Sequence, residues 1–246
     1  MSGTGYDVPV RIAGMDARIR TAFPGVVSFL QAYTVEAVPD SAPVIGFSPE
    51  EIASERQRLM QIGQSESANA SDAGVEWILI HTALSEYAVS RDVLLMHGSA
   101  LCMDGAAYLF TAPSGTGKST HARLWREAFG NRCRMINDDK PFLICRENET
   151  LVCGSPWMGK HGLGQNISVP LKAVALIRQS PENHIQPVSP AEIFPALYPQ
   201  MYRPRTAAGQ VRALQLIRRV CRSAAFYQLD CNMDPEAAVI ACEGMA

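Results

Sequence analysis

Short apolar runs separated by turn residues dominate the middle of the chain. VLLMH (93–97) and SALCM (99–103) read as strands, Asp104-Gly105 as a hairpin turn and AAYLFTA (106–112) as the return strand. A glycine-rich stretch, TAPSGTGKSTHARLW (111–125), follows and leads into a helix expected to run to about Phe129 and to stop near Gly130. RCRMIN (132–137) is a further apolar strand closed by Asp138-Asp139. PFLICR (141–146) and TLVCG (150–154) flank a turn at Glu147-Asn148-Glu149. The glycine-rich loop SPWMGKHGLGQN (155–166) precedes KAVALIRQ (172–179), whose near-continuous apolar run predicts a buried strand.

The flanks are less regular. VPVRIAG (8–14) and VVSFLQAYTVEAV (26–38) read as strands, and Ser48-Pro49-Glu50-Glu51 carries the N-cap, first-turn proline and capping-box glutamate of a helix over about 49–62. QSESANASDAG (64–74) is small and polar and reads as a loop. Val75, Ile78, Leu79, Thr82 and Tyr87 then recur at helical spacing to about residue 90, with His81 as a structural histidine. Ser189-Pro190-Ala191-Glu192 repeats the capping pattern. Val211, Leu214, Ile217 and Val220 mark one face of a helix over 209–222, AFYQLD (225–230) is a short strand, and Asp234-Pro235-Glu236 opens a last helix. These elements predict an α/β fold with a mixed sheet, divided into a smaller N-terminal α+β region (1–90) and a core with C-terminal helices (91–246).

The 246 residues are 47% apolar and carry a formal charge of −2, which suits a cored protein and gives no bulk attraction to nucleic acid or a membrane. No run approaches the roughly 20 apolar residues that span a bilayer, and no signal peptide is expected at the N-terminus. The seven cysteines are scattered without a CxxC pair, so reduced core thiols and a cytoplasmic setting are expected.

The glycine-rich stretch carries the chemistry. Glycines let successive N–H groups converge on an anion, and the following helix adds its positive end. Ser114, Gly115, Thr116, Gly117, Lys118, Ser119 and Thr120 therefore form a candidate phosphate cradle, with Lys118 reaching the β- and γ-phosphates and the Ser119 hydroxyl available to Mg²⁺. Ala112 stands where the GxxxxGK[ST] pattern has its first glycine. That position makes the turn out of the strand, so alanine suffices if its φ is negative. His121 reads as an ordinary helix residue.

Asp138-Asp139 lies one helix and one turn after Lys118. A crossover would bring their strand into the same sheet with its C-terminal end on the same edge, where one aspartate can serve Mg²⁺ and the other can accept a proton from an attacking hydroxyl. His97 can fall at either edge. In the loop 155–166, Lys160 offers a charge for a transferred phosphate and Trp157 a wall for the substrate. A solvated connection with Trp157 on the core is the competing reading. Arg203 and Arg205 have only a weak claim as anion ligands.

HGSALCMDGAAYLFTAPSGTGKST followed by MINDDKP resembles the catalytic domain of HPr kinase/phosphorylase and, more distantly, ATP-dependent phosphoenolpyruvate carboxykinase, over about residues 93–180. Closer still is a set of uncharacterised bacterial HPr kinase-like proteins, which share a Pro-Trp-x-Gly-Lys loop like 156–160 and an ending like CNMDPEAA (231–238). The resemblance implies an HPr kinase/carboxykinase-like P-loop core and places His97 near the phosphates. It makes Asp138 and Asp139 the base and metal pair, with Ser119 and Asp139 as metal ligands. Thr120 stands where HPr kinases carry an acidic residue, so neither HPr as acceptor nor phosphorylase activity is implied.

The function expected is an ATP- and Mg²⁺-dependent kinase that phosphorylates a hydroxyl of a small molecule or peptide, with Asp138, Asp139, Lys118 and His97 as catalytic residues. A nucleotide-binding regulatory or scaffold protein is the second reading, and a carboxykinase-type decarboxylase the third. Homo-oligomerisation stays open.

Overall fold

Hairpin signals and capping boxes account for much of the architecture. The computed structural model describes residues 5–159 and 161–246. It divides into two compact units, Met1–Tyr87 and Ala88–Ala246.

The first unit contains strands β1 (Tyr6–Ile12), β2 (Met15–Thr21) and β3 (Val44–Ile45) and helices α1 (Pro24–Leu30), α2 (Pro49–Gln61), α3 (Ser65–Ala68) and α4 (Asp72–Ser90), the last turn of α4 falling in the second unit. β1 and β2 pair antiparallel through Ala13 and Gly14, both at positive φ as a tight two-residue turn requires. Residues 26–38, expected as a strand, instead form α1 and a 3-10 turn at Gln31–Tyr33. Pro24 starts the helix, and the buried Val26, Leu30 and Tyr33 recur at helical rather than alternating spacing. The polar stretch 64–74, expected as a loop, carries the short α3. In α2 the predicted capping box is present: Glu51 N–H donates to Ser48 Oγ (3.3 Å) and Ser48 N–H to Glu51 Oε2 (2.8 Å).

The second unit is a three-layer α/β/α arrangement. Its strands are β4 (Val93–Leu95), β5 (Ser99–Met103), β6 (Ala106–Thr111), β7 (Cys133–Asn137), β8 (Phe142–Cys145), β9 (Thr150–Cys153), β10 (Ser168–Gln179), β11 (His184–Pro187) and β12 (Ala225–Cys231). Its helices are α5 (Lys118–Phe129), α6 (Pro190–Leu197), α7 (Ala207–Ser223) and α8 (Glu236–Gly244). The mixed sheet has the order β4-β8-β9-β10-β6-β5-β7, with β12 beside β10 and β11 beside β12. Alternation along each strand loads both faces. Ala100, Leu109 and Val174 pack with α6 and α7, whereas Leu101, Phe110 and Ala175 pack with α5 and α8.

The β5–β6 hairpin forms as expected, and the strand before it pairs elsewhere: β4 pairs with β8, while β5 pairs with β6 and β7. His97-Gly98 lets the chain leave one neighbour and join another. β11, a polar His-Ile-Gln-Pro stretch without an apolar pattern, is gained by pairing on the edge of β12.

Pairing fixes direction. β10 is parallel to β6 and β12, and β7 is antiparallel to β5, which is antiparallel to β6. β6, β7, β10 and β12 therefore all end on one edge of the sheet. The glycine loop, Asp138-Asp139, Gln179-Ser180 and Asn232-Met233 follow those four strands, so they collect at that edge.

Candidate active site

The glycine loop leaves β6 at Ala112, which is fully buried and is not among the described non-glycine residues with positive φ. Gly115 (φ +80°) and Gly117 (φ +109°) hold left-handed conformations, and a Cβ on either would meet no atom within 4 Å. Backbone conformation, not crowding, requires glycine there. Gly117 is the N-cap of α5, so Lys118 and Ser119 open the helix with its positive end facing the loop. The Lys118 ammonium donates to the carbonyls of Ala112 (2.9 Å) and Pro113 (3.1 Å). Burial lowers its pKa, opposed in part by the charge of Asp139.

The acidic turn is built from farther away. A register shift between β5 and β7 sets Asn137 opposite Ala100 and re-aims the residues that follow. The Asn137 side chain then fixes the turn from inside. Its Oδ1 accepts from the amides of Asp139 (2.9 Å) and Lys140 (2.6 Å), and its Nδ2 donates to Ser155 O (3.0 Å) and Oγ (3.1 Å). Ser155 Oγ in turn donates to Lys140 O (2.6 Å). Asp138 is buried and its Oδ1 accepts from Ser99 Oγ at 2.9 Å. Asp139 is more open, with His97 Nε2 at 3.5 Å and Lys140 Nζ at 3.8 Å.

His97 is tied to both halves. Its carbonyl accepts from Thr111 Oγ1 at the end of β6 (2.9 Å), and the neighbouring Gly98 amide donates to Asp139 O (3.0 Å). Its Nδ1 lies 3.0 Å from Gln200 Oε1. Burial lowers its pKa, and the charges of Lys140 and Lys118 act in the same direction.

One cleft of about 490 Å³ is lined by His97, Ser114, Gly115, Gly117, Lys118, Ser119, Thr120, Asp138, Asp139, Gly159 and His161. Most of the residues singled out from the sequence thus border a single space. Thr116 lines a neighbouring cavity instead. Trp157 does not line the cleft: it is buried with its ring edge-on to Phe142, 6.4 Å between centroids. Gly159, two residues on, comes close to the acidic turn, where an added Cβ would stand 3.4 Å from Asp139 Cβ. Lys160 lies outside the described residues. Arg203 and Arg205 do not line the cleft. His121 is buried in α5, accepts from Trp125 Nε1 (3.0 Å), and has its pKa lowered to about 4 by burial.

Sequence reading missed Asn137, Ser155, Ser99 and Gln200, whose roles depend on partners far along the chain. The apolar-polar setting of Asn137, the last residue of a buried strand, is the one local signal. It also missed the cavity of about 580 Å³ beside the glycine loop, bordered by Ile177, Pro181, Asn232 and Met233. Gln179 Nε2 donates to Thr116 O (3.3 Å), tying that cavity to the loop.

The oxygen donors present suit a hard cation. The Ser119 hydroxyl and the carboxylates of Asp138 and Asp139 border the same cleft, and Mg²⁺ binds through one or two such groups together with phosphate oxygens and water. Among the described residues no group of three or more His, Cys, Asp and Glu is placed to hold a metal ion by itself, and the described cysteines are free thiols. No helix among them is long and apolar enough to cross a membrane.

No family model matches the chain, and no curated protein does. Among solved structures, the HPr(Ser) kinase/phosphatase from Coxiella burnetii is similar over 51% of this chain and 89% of its own, at 12% identity. The TM-score of that match is 0.29, so no residue role is carried over from it.

Proposed function

We propose that the second unit is an ATP- and Mg²⁺-dependent phosphotransferase acting on a hydroxyl. The observation that carries this reading is the meeting of a glycine loop, a lysine, a serine hydroxyl and two carboxylates around one cleft at the C-terminal edge of the sheet. In this reading the amides of 115–119 hold the phosphates, and the Lys118 ammonium turns from its own loop carbonyls to the β- and γ-oxygens. The nucleoside occupies the cavity of about 580 Å³, against Ile177, Pro181 and Met233, with the Asn232 amide at its border. Bound Mg²⁺ would neutralise charge on the β- and γ-phosphates, held by Ser119 and Asp139.

The two aspartates then divide the work. Asp138 borders both the phosphate cleft and the next cavity along α5, so it faces an incoming acceptor. Its free oxygen takes the acceptor proton while Ser99 holds the other. The acceptor oxygen bonds to the γ-phosphorus as the bond from phosphorus to the β–γ bridging oxygen breaks, and ADP leaves with that electron pair. His97, kept neutral by burial and two nearby cations, positions Asp139.

Incubation with γ-labelled ATP, Mg²⁺ and a panel of hydroxyl acceptors tests the reading. Transfer that disappears in Lys118→Ala and Asp138→Asn is the expected result. Full turnover in Lys118→Ala would sink the mechanism. Tight nucleotide binding with no turnover would instead make the unit a nucleotide-binding module.

A further inference from the structure

The phosphate cleft does not end at Asp138. A second cavity of about 450 Å³ shares Ser119, Thr120, Asp138 and His161 with it and continues along α5 over Ala122, Met135 and Leu163. A third, of about 300 Å³, shares Arg126, Met135 and Leu163 with the second and reaches Arg134. Together they form a groove that starts at the carboxylate assigned above as base and leads away from the nucleotide.

The charges along this groove are one-sided. Arg123 and Arg126 border the second cavity, and Arg126 and Arg134 the third, while Asp138 is the one acidic residue among the described residues that line them. Arg123 is held by Glu127, at 2.7 and 2.9 Å. Arg126 has no carboxylate within ion-pair distance among the described residues, whereas the Arg134 guanidinium turns to the other face of β7, 4.0 Å from the Cys102 sulfur. A guanidinium left unmatched on this groove, above an apolar floor, makes a receptor for a ligand that brings its own carboxylate.

Building on the phosphotransferase reading, we propose that this groove is the acceptor subsite and that the acceptor is an anionic alcohol: its hydroxyl meets Asp138 while a carboxylate lies against Arg126. The apolar floor of Met135 and Leu163 takes the carbon skeleton between the two ends. Small hydroxy acids and serine-containing acidic peptide segments share this chemistry.

The test uses the full chain with Mg²⁺ and a non-hydrolysable ATP analogue. Binding is measured by calorimetry for three probes: glycerate, a short peptide with one serine among glutamates, and its glutamine counterpart. Transfer from γ-labelled ATP is then measured with the same three. The expected result is that a carboxylate-bearing probe binds and is phosphorylated, and that Arg126→Glu raises its KM at least about tenfold, as loss of a charge-assisted contact does. Arg126→Lys recovers part of the effect, because charge remains without the bidentate fork. Unchanged nucleotide affinity in both variants verifies that they are folded. Preference between glycerate and the acidic peptide identifies the source. Equal use of the glutamine peptide, or an unchanged KM in Arg126→Glu, overturns the inference while leaving the phosphotransferase standing. Arg126-dependent binding of the acidic probe without any transfer keeps the anionic subsite and removes the phosphotransferase. Binding of none of the probes overturns the anionic acceptor outright.

Discussion

The two halves of the cleft are specified in opposite ways. The glycine loop is a local object: a strand, six residues and a helix start lie side by side in the chain, and two positive-φ glycines set its shape. The acidic turn is a long-range object. Asp138 is held by Ser99, 39 positions away, and the backbone of Asp139 and Lys140 is held by Asn137 with Ser155, 18 positions from it. A loop whose amides must hold an anion can be encoded by backbone freedom. A carboxylate that must sit beside that anion needs a scaffold to oppose the repulsion and desolvation it meets there.

The sharpest way to separate the halves is to disable each. Asp138→Asn is expected to lower kcat by about 10²–10⁴-fold, the range for loss of a general base, with little change in ATP affinity by calorimetry. Lys118→Ala should lower ATP affinity as well as kcat. If the two variants gave the same kinetic pattern, the division into a binding half and a chemical half would be wrong.

The helix that follows the loop adds a pH signature. Burial holds the His121 imidazole neutral and lowers its pKa from 6.5 to about 4. Between those values the unfolded chain binds a proton that the folded chain does not. The stabilisation is therefore present above pH 6.5 and is lost as pH falls towards 4, by about 3 kcal/mol. Denaturant unfolding of the wild type and His121→Gln at pH 7.5 and 4.5 should show a smaller acid loss in the variant. Equal losses would place the acid sensitivity elsewhere.

Asn137→Ala tests the long-range half directly. It strands two amides and the Ser155 carbonyl, and is expected to cost about 1–3 kcal/mol of stability and to reduce kcat more than ATP affinity. An intact kcat would show that the turn holds its shape without the network. Gly117→Ala has the smallest expected effect, about 1–2 kcal/mol from the left-handed backbone alone, because the added methyl group meets no atom. Its loss of nucleotide affinity should exceed that of Asn137→Ala. The reverse order would mean that the loop is also held by the rest of the fold.

What could be read from the chain alone follows the same division. The capping boxes at Ser48 and Ser189, the Asp104-Gly105 turn, the buried run of β10 and the strand–loop–helix around Lys118 were legible, because each depends on residues within a few positions. Residues 26–38 were misread. Apolar content there suggested a strand, whereas the spacing of Val26, Leu30 and Tyr33 specifies helix. Trp157, equally at home on the core or in the cleft by sequence, is placed on the core by Phe142.

The sequence by itself determined the shape of the glycine loop, since glycine φ values and a helix start are properties of neighbouring residues. Only the tertiary structure decided what stands beside that loop. The parallel directions of β6, β7, β10 and β12 bring four strand ends to one edge, and the register shift between β5 and β7 sets Asp138 against Ser99. The groove past Asp138, with the unmatched Arg126, arises from the packing of α5 beside residues 161–165. Such pairings join residues tens of positions apart, and their energies come from contacts that no local pattern encodes.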